Sequence, residues 1–445
     1  MTGAALPSNS RDTIFAAASG AGRAAIAIIR VSGPDCAATL AALAPGVEFA
    51  DRIATLANLR DPDSGETLDR GLVIRFVAPR SFTGEDMAEL QVTGGRAVIA
   101  GVIAALARVP GLRPAEPGEF AWRAFGNGKL DLAEVEGLAD LVEAETAAQR
   151  RQALRIAGGA LSRDAEAIRA KLIEAMALIE AQIDFSDVED ADALSLDSAR
   201  AIVAEAAKRA REALAGAAAA ARLREGFCVV IAGPPNVGKS TLMNALAHRD
   251  VSIVSSIPGT TRDPIEARLE LRGLPITLID TAGLRESDDP IEREGVARAR
   301  RRAERADLTL WLEDAGAAPS PVAEGLGPTL KVQTKADLNP AASDEGMRIS
   351  ALTGEGIEQL LDAIANVAAE QMTGPAPALI ILERHRVAYS DALAALERAL
   401  DPAESELELV AEDLRLGARA LERIAGRIDV EDVLGDIFSR LCVGK

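Results

Sequence analysis

The sequence predicts a multidomain chain: an α+β domain first, then an all-α domain interrupted by an inserted α/β domain. Three observations carry that reading. The chain has 445 residues, and at about 150 residues per domain it is long enough for three cores. Short β-like runs alternate with turns and helix-like stretches up to about residue 125. Beyond that point, two blocks with apolar residues at helical spacing flank a region whose apolar runs end in glycine, as in a parallel sheet.

Taken in order, residues 1–125 hold the β-like runs AAIAIIRV, LVIRFVA and MAELQV and the helix-like stretches CAATLAALA and AVIAGVIAALARV. Residues 126–222 are the first helical part, with no proline between Gly118 and Gly233. The acidic tract DFSDVEDADALSLDS interrupts this block, and its cap-type residues predict a loop with a new helix beginning near Leu196 or Asp197. Residues 223–372 form the α/β insert, marked by FCVVIAG and ITLIDTAG, and residues 373–445 return to helix after the breaker TGPAP. Two helical segments that leave and re-enter at neighbouring points can still share one core, so an insertion is the economical arrangement.

Composition removes several functions. With 49 Lys and Arg against 68 Asp and Glu, the net charge of −19 repels polyanions unless basic residues cluster locally. Aromatic residues make up only 3%, which disfavours aromatic sheets that stack bases. Cys36, Cys228 and Cys442 lie far apart, against a disulfide framework or a Cys-rich zinc site. His248 and His385 leave little material for histidine chemistry. No apolar run approaches the ~20 residues of a membrane span and the start lacks an export signal, so a cytoplasmic location is expected.

The insert carries a nucleotide signature. Gly233-Pro-Pro-Asn-Val-Gly-Lys-Ser fits the phosphate-loop pattern and sits between an apolar strand and the helix start STLMNALA. Gly233 and Gly238 permit the tight path, backbone N–H groups across Asn236, Val237, Gly238 and Thr241 face the phosphates, Lys239 reaches the outer phosphates, and Ser240 can ligate magnesium. Downstream, Ser255-Ser256-Ile257-Pro258-Gly259-Thr260-Thr261 supplies a hydroxyl for the metal at Thr261, and Asp280-Thr281-Ala282-Gly283 adds a carboxylate and a glycine amide for the γ-phosphate. This order matches a Ras-like switch GTPase. Thr334-Lys335-Ala336-Asp337 then selects guanine, because Asp337 accepts from a donor pair that adenine lacks. Thr334 stands where Asn is usual, which predicts a weaker side-chain hold on the base loop, and Ser350-Ala351-Leu352 offers backbone N–H groups to the guanine oxygen.

Leu284 follows this element where many switch GTPases place a water-orienting Gln. Glu292, in the acidic stretch after it, is the leading candidate to accept from water; an exposed Glu at a helix start is the plainer reading. A compensating cation is also needed. Asn236 with the carbonyl-rich Ser255–Thr260 stretch can hold a monovalent ion, and the run Arg298, Arg300, Arg301, Arg302 and Arg305 is the competing source of charge.

With these motifs stand DTIFAAASGAGRAAIAIIRVSG, PRSFTGEDMAELQVTGG, EPGEFAWRAFGNGKLDLAEVEGLADLV, IPGTTRD, DTAGLRE and the terminal LCVGK. Together they resemble the MnmE/TrmE family of tRNA-modification GTPases across all three domains. The resemblance implies an N-terminal folate-binding-like domain that pairs in a homodimer and takes 5-formyltetrahydrofolate or a related folate through Arg30, Glu89, Lys129 and Lys445. It implies potassium near Asn236, Ser255, Ile257 and Thr260, magnesium at Ser240 and Thr261, and Glu292 acting on water. It further implies an FAD-dependent MnmG/GidA-type partner in a heterotetramer or larger complex, adding an aminomethyl or carboxymethylaminomethyl group to the C5 position of wobble uridine in certain tRNAs. Cys442, in the terminal signature, is a candidate for direct chemistry or for a positioning role; its thiol needs nearby positive charge to ionise near neutral pH. The runner-up is an Era/Der-like ribosome-assembly GTPase, although neither flank shows a KH pattern or basic stripe.

Overall fold

The structure, a computed structural model of the chain, describes residues 12–20, 22–184, 193–247, 266–281, 306–315, 327–339, 346–372, 379–401, 406–426, 428 and 444. It divides into two compact units: Met1–Ala139 with Ile156–Ala167 and Ala418–Lys445, and Asp140–Arg155 with Ile168–Gly417.

The first unit is built on strands β1 (Thr13–Ala17), β2 (Ile26–Ser32), β3 (Thr55–Arg60), β4 (Thr67–Phe76), β5 (Met87–Thr93) and β6 (Leu112–Pro114), in the order β3-β4-β5-β2-β1-β6. Only the β1–β6 edge pair is parallel. Side chains alternate across a strand, so Ala27, Ile29 and Val31 of β2 enter a core with Leu40 of α1 (Cys36–Leu43) and Val102 and Leu106 of α2 (Arg96–Arg108). The other parity of β1, Ile14 and Ala16, packs against Phe120 of α3 (Glu119–Gly126) on the opposite face. The sequence led to β2, β4, β5, α1 and α2. It passed over β1 and β3, which are short and in β3 expose every second residue.

Helix α4 (Leu132–Glu143) opens with a reciprocal cap: Glu134 N donates to Asp131 Oδ1 and Asp131 N donates to Glu134 Oε2, both at 2.8 Å. Gly137 lets α5 (Ala147–Ala157) pass, since a Cβ there would lie 2.3 Å from Ala157 N.

In the second unit, helices from before and after the α/β region pack on one another. Helix α7 (Ala193–Ala215) lies along α11 (Glu383–Ala399). Gly417 of α12 (Leu407–Ala425) faces Leu172 of α6 (Ala160–Asp184), 3.4 Å from where its Cβ would sit. Helix α7 starts at Ala193, ahead of the expected Leu196 or Asp197; Ala193 and Leu194 are strong helix formers and extend the first turn past the cap-type residues. The α/β sheet runs β12-β11-β10-β7-β9-β8, from β7 (Phe227–Ala232), β8 (Glu266–Leu271), β9 (Leu274–Asp280), β10 (Leu308–Asp314), β11 (Thr329–Thr334) and β12 (Met347–Arg348). Only β8 is antiparallel to its neighbour. Phe227, Val229 and Ile231 pack in one core with residues of α8 (Ala217–Glu225), α9 (Lys239–Ala247) and α10 (Ile357–Met372); Val230 and Ala232 join Ile279 and Trp311 on the other face.

Candidate functional site

The phosphate loop joins the carboxyl end of β7 to α9. Gly233 has φ +144°, and a Cβ on it would lie 2.5 Å from the Leu312 carbonyl oxygen, so only glycine lets the loop leave the sheet beside β10. Lys239 Nζ donates to the carbonyls of Gly233 at 2.9 Å and Pro234 at 2.8 Å, which folds the ammonium over the loop. Ser240 Oγ donates to Asp280 Oδ2 at 2.7 Å, joining the helix start to the end of β9. The next residue, Thr281, donates from Oγ1 to the Ile231 carbonyl at 2.9 Å. Asn236 is exposed with φ +62°, at the crest of the loop.

The base side is tied to this loop through Thr334. Its buried hydroxyl lies 2.7 Å from the Val237 carbonyl and 3.1 Å from that of Glu313. A β-branched hydroxyl thus links β11 to the phosphate loop at the position where its short side chain predicted a weaker hold. Lys335, at φ +59°, pairs with Asp314 at 2.7 Å, and the turn Ala336–Leu338 presents Asp337 to solvent. Of the three residues expected to offer amides to the guanine oxygen, Ser350 donates its N–H to the Glu355 carbonyl at 2.9 Å. Ala351 and Leu352 are left as the candidate donors. Ser255, Ser256, Ile257, Pro258, Gly259, Thr260, Thr261, Ala282, Gly283, Glu292, Cys442, Lys445 and the arginines between 298 and 305 lie outside the described residues. Among the described residues no group of three His, Cys, Asp or Glu is placed to hold a metal, and no helix is long and apolar enough to cross a membrane.

A second cluster forms in the first unit, on the sheet face turned away from α1 and α2. Arg30 of β2 pairs across the sheet with Glu89 of β5 at 2.9 Å, each side chain 18% exposed. The guanidinium lies over the rings of Phe82 and Phe120, 5.2 and 5.6 Å from their centroids, and Arg30 Nη1 donates to the Gly444 carbonyl at 3.2 Å. Gly444, at φ +101°, lies against β1: a Cβ on it would lie 2.5 Å from the Ala17 carbonyl oxygen. The Lys129 stem packs at Gly84, on the loop that carries Phe82, and Asn127 Nδ2 donates to the Thr83 carbonyl at 2.8 Å. Arg30, Glu89 and the residue before Lys445 therefore meet, while Lys129 borders the neighbouring loop. Phe82 and Phe120 were missed, because a rare aromatic gives no periodic signal.

A buried ion network supports that loop. Glu119 is paired with Arg113 at 2.6 Å and Arg123 at 2.9 Å, and Arg123 reaches Glu85 at 3.1 Å. Ser32 Oγ donates to Glu85 Oε2 at 2.8 Å. The one hint in the sequence was the Glu119/Arg123 spacing of a helical turn.

A glycine loop entering a helix behind a parallel strand, with a lysine and a serine–aspartate pair at its mouth, defines a P-loop nucleotide-binding protein. Here it is joined to a separate α+β domain. A family model described as the MnmE helical domain matches residues 132–442, and one described as the GTP-binding protein TrmE N-terminus matches residues 13–129. Two proteins named tRNA modification GTPase MnmE are similar along nearly the whole chain. That of Beijerinckia indica is 53% identical over 98% of this chain and 96% of its own, and that of Methylobacterium sp. strain 4-46 is 54% identical over 98% and 100%. The chain belongs to the MnmE/TrmE family of tRNA modification GTPases. The solved FeoB G domain of Methanococcus jannaschii aligns with 32% of the chain at 25% identity and a TM-score of 0.23, too loosely to bear on function.

Proposed function

We propose that the chain is a potassium-stimulated GTPase that works with an FAD-dependent MnmG/GidA-type partner. Together they would add an aminomethyl or carboxymethylaminomethyl group to C5 of wobble uridine in tRNA, in the cytoplasm. The observation that carries the GTPase half is the Ser240–Asp280 contact of 2.7 Å beside Lys239 at the mouth of the phosphate loop. Ser240 Oγ and an Asp280 carboxylate oxygen, two hard donors, would suit magnesium, which would supply charge compensation to the nucleotide phosphates when bound. The chain's own contribution is to hold those oxygens from two different elements, to cradle the phosphates on the backbone amides of Gly238 and its neighbours, and to offer Asp337 to guanine. Asn236 belongs to the potassium site with Ser255, Ile257 and Thr260, and Glu292 orients water.

The organisation that goes with this reading is an N-terminal domain over 1–125, a GTPase domain over 223–372, and a helical domain made from 126–222 and 373–445. A folate suits the Arg30 cluster, where charge and two aromatic rings share one face. A homodimer is supported by an apolar row on that same face: Leu56 is 53% and Leu72 39% exposed, aligned in register toward Gln91 and Ile28. No observation favours a ribosome-assembly GTPase over this reading.

The test is reconstitution with the flavoprotein, folate, GTP and tRNA, read by nucleoside mass spectrometry. A C5-modified wobble uridine is expected only when both proteins are present. Unmodified tRNA, together with no complex between the two proteins, overturns the proposal.

A further inference from the structure

Helix α5 carries a charge anomaly. Over Ala147–Ala157 it has three arginines and no acidic residue, in a chain whose net charge is −19. Arg150, Arg151 and Arg155 are all exposed, as is Leu154 at 51%, while Ala148, Gln152, Ala153 and Ile156 are buried. The exposed positions follow the helical repeat, so the arginines and Leu154 share one outward stripe, which corrects the expectation from sequence that neither flank carries a basic stripe. Arg155 Nε leans on the Arg151 carbonyl at 3.4 Å, and none of the three makes an ion pair among the described residues.

Two carboxylates next to the helix in sequence are paired with other arginines. Asp140 pairs with Arg224 at 2.8 Å and Glu145 with Arg268 at 2.6 Å. Six other arginines, Arg30, Arg108, Arg113, Arg123, Arg272 and Arg398, each meet a carboxylate. One arginine in the last turn complements the helix dipole, but three on one stripe exceed that need. Gln152 Nε2 donates to the Ala220 carbonyl at 3.1 Å and Gln149 Nε2 to that of Arg224 at 3.1 Å, so the buried side fixes the helix with the stripe outward.

We propose that the α5 stripe of Arg150, Arg151 and Arg155 is a docking surface for the phosphate backbone of tRNA. Among the described residues it gathers three arginines on one outward stripe, against a net charge of −19. Guanidinium forks bind phosphate bidentately, and Leu154 gives the stripe an apolar contact for ribose. The site positions the RNA without reading its sequence. The inference rests on the tRNA-modification reading above.

The experiment compares the full-length protein with the variant R150Q/R151Q/R155Q and a charge-matched control, R23Q/R70Q/R96Q. Binding of an unmodified tRNA transcript is followed by fluorescence anisotropy across a salt series, with GTP turnover as the control for an intact second unit. Each lost phosphate contact removes roughly 0.7 to 0.9 from the slope of log K against log salt. The α5 variant should therefore lose about two to three units of slope, bind more weakly by about a hundredfold or more near 0.1 M salt, and keep its GTP turnover. The control should bind as the parent does. Equal weakening of the two variants would reveal only a long-range field and overturn the proposal, as would an unchanged slope. Loss of flavoprotein binding with tRNA binding intact would assign the stripe to a protein partner instead. Failure of the broader reading is separate, since it would appear as unmodified tRNA with the parent protein.

Discussion

Glu119 shows how one carboxylate can organise a domain. It is 1% exposed and accepts from Arg113 Nη1 at 2.8 Å, Arg113 Nη2 at 2.6 Å, Arg123 Nη2 at 2.9 Å and the Glu116 amide at 2.9 Å. Burial pushes its pKa up, but the arginine and amide donors outweigh burial and hold it below 4.5. A depressed carboxyl stabilises the fold fully above the unfolded value near 4.5, and that contribution fades as pH falls through the lowered native value. Replacing Glu119 with Gln leaves two arginines short of a counter-charge and should cost roughly 3–5 kcal/mol at pH 7. Urea unfolding should show parent and variant converging as the pH drops below 4.5; a gap that stays constant from neutral to acid pH would refute the network's role. Thr334 makes a smaller case. Removing its hydroxyl in Thr334→Ala leaves the Val237 carbonyl without its 2.7 Å partner, at about 1 kcal/mol. GTP affinity should fall about fivefold and return in Thr334→Asn, as read by titration with a fluorescent guanine nucleotide. An Ala variant that binds as the parent does would show that the tie is idle.

At the scale of elements, Gly444 is held in place by its backbone conformation. Gly444 is left-handed at φ +101° and so close to β1 that a Cβ would meet the Ala17 carbonyl oxygen at 2.5 Å and Ala18 Cα at 2.8 Å. Gly444→Ala should break the Gly444–Arg30 contact and weaken binding at the proposed folate site by about tenfold, with GTP turnover retained; calorimetry with 5-formyltetrahydrofolate checks it. The same comparison shows what the sequence could reveal. The phosphate loop was legible because its order of apolar strand, glycines, lysine and helix is fixed by local geometry, and that order stands as read in Phe227–Ala247. Strands β2, β4 and β5 were legible because buried and exposed residues alternate or run apolar. The Arg30 cluster was not, since it joins β2, β5, the Phe82 loop, α3 and the tail across 414 residues of chain, and charge on each alone looks like surface. Strand β3 failed for a simpler reason: TLANLR buries only Ala57 and Leu59.

For the whole molecule, the decisive quantity is where positive charge is concentrated against a background of −19. A phosphate ligand gains nothing from the overall field and must be met by Lys239 and the amides of the loop. Among the described residues the ammonium of Lys239 contacts that loop, and a switch-type reaction needs a further cation as charge spreads over the transferred phosphoryl group. The exposed, left-handed Asn236 at φ +62° places a polar side chain on the phosphate loop, and the side chain of Leu284 has no polar atom with which to orient water. Both features accord with the proposal that an alkali ion and a second copy complete the site. GTP turnover should therefore rise at least tenfold when potassium replaces sodium at constant magnesium and ionic strength, and turnover per molecule should climb with protein concentration. Glu292→Ala should slow hydrolysis by about 10² or more with little change in nucleotide affinity. Equal rates in the two salts, independent of concentration, would mean that one subunit supplies every charge the reaction needs.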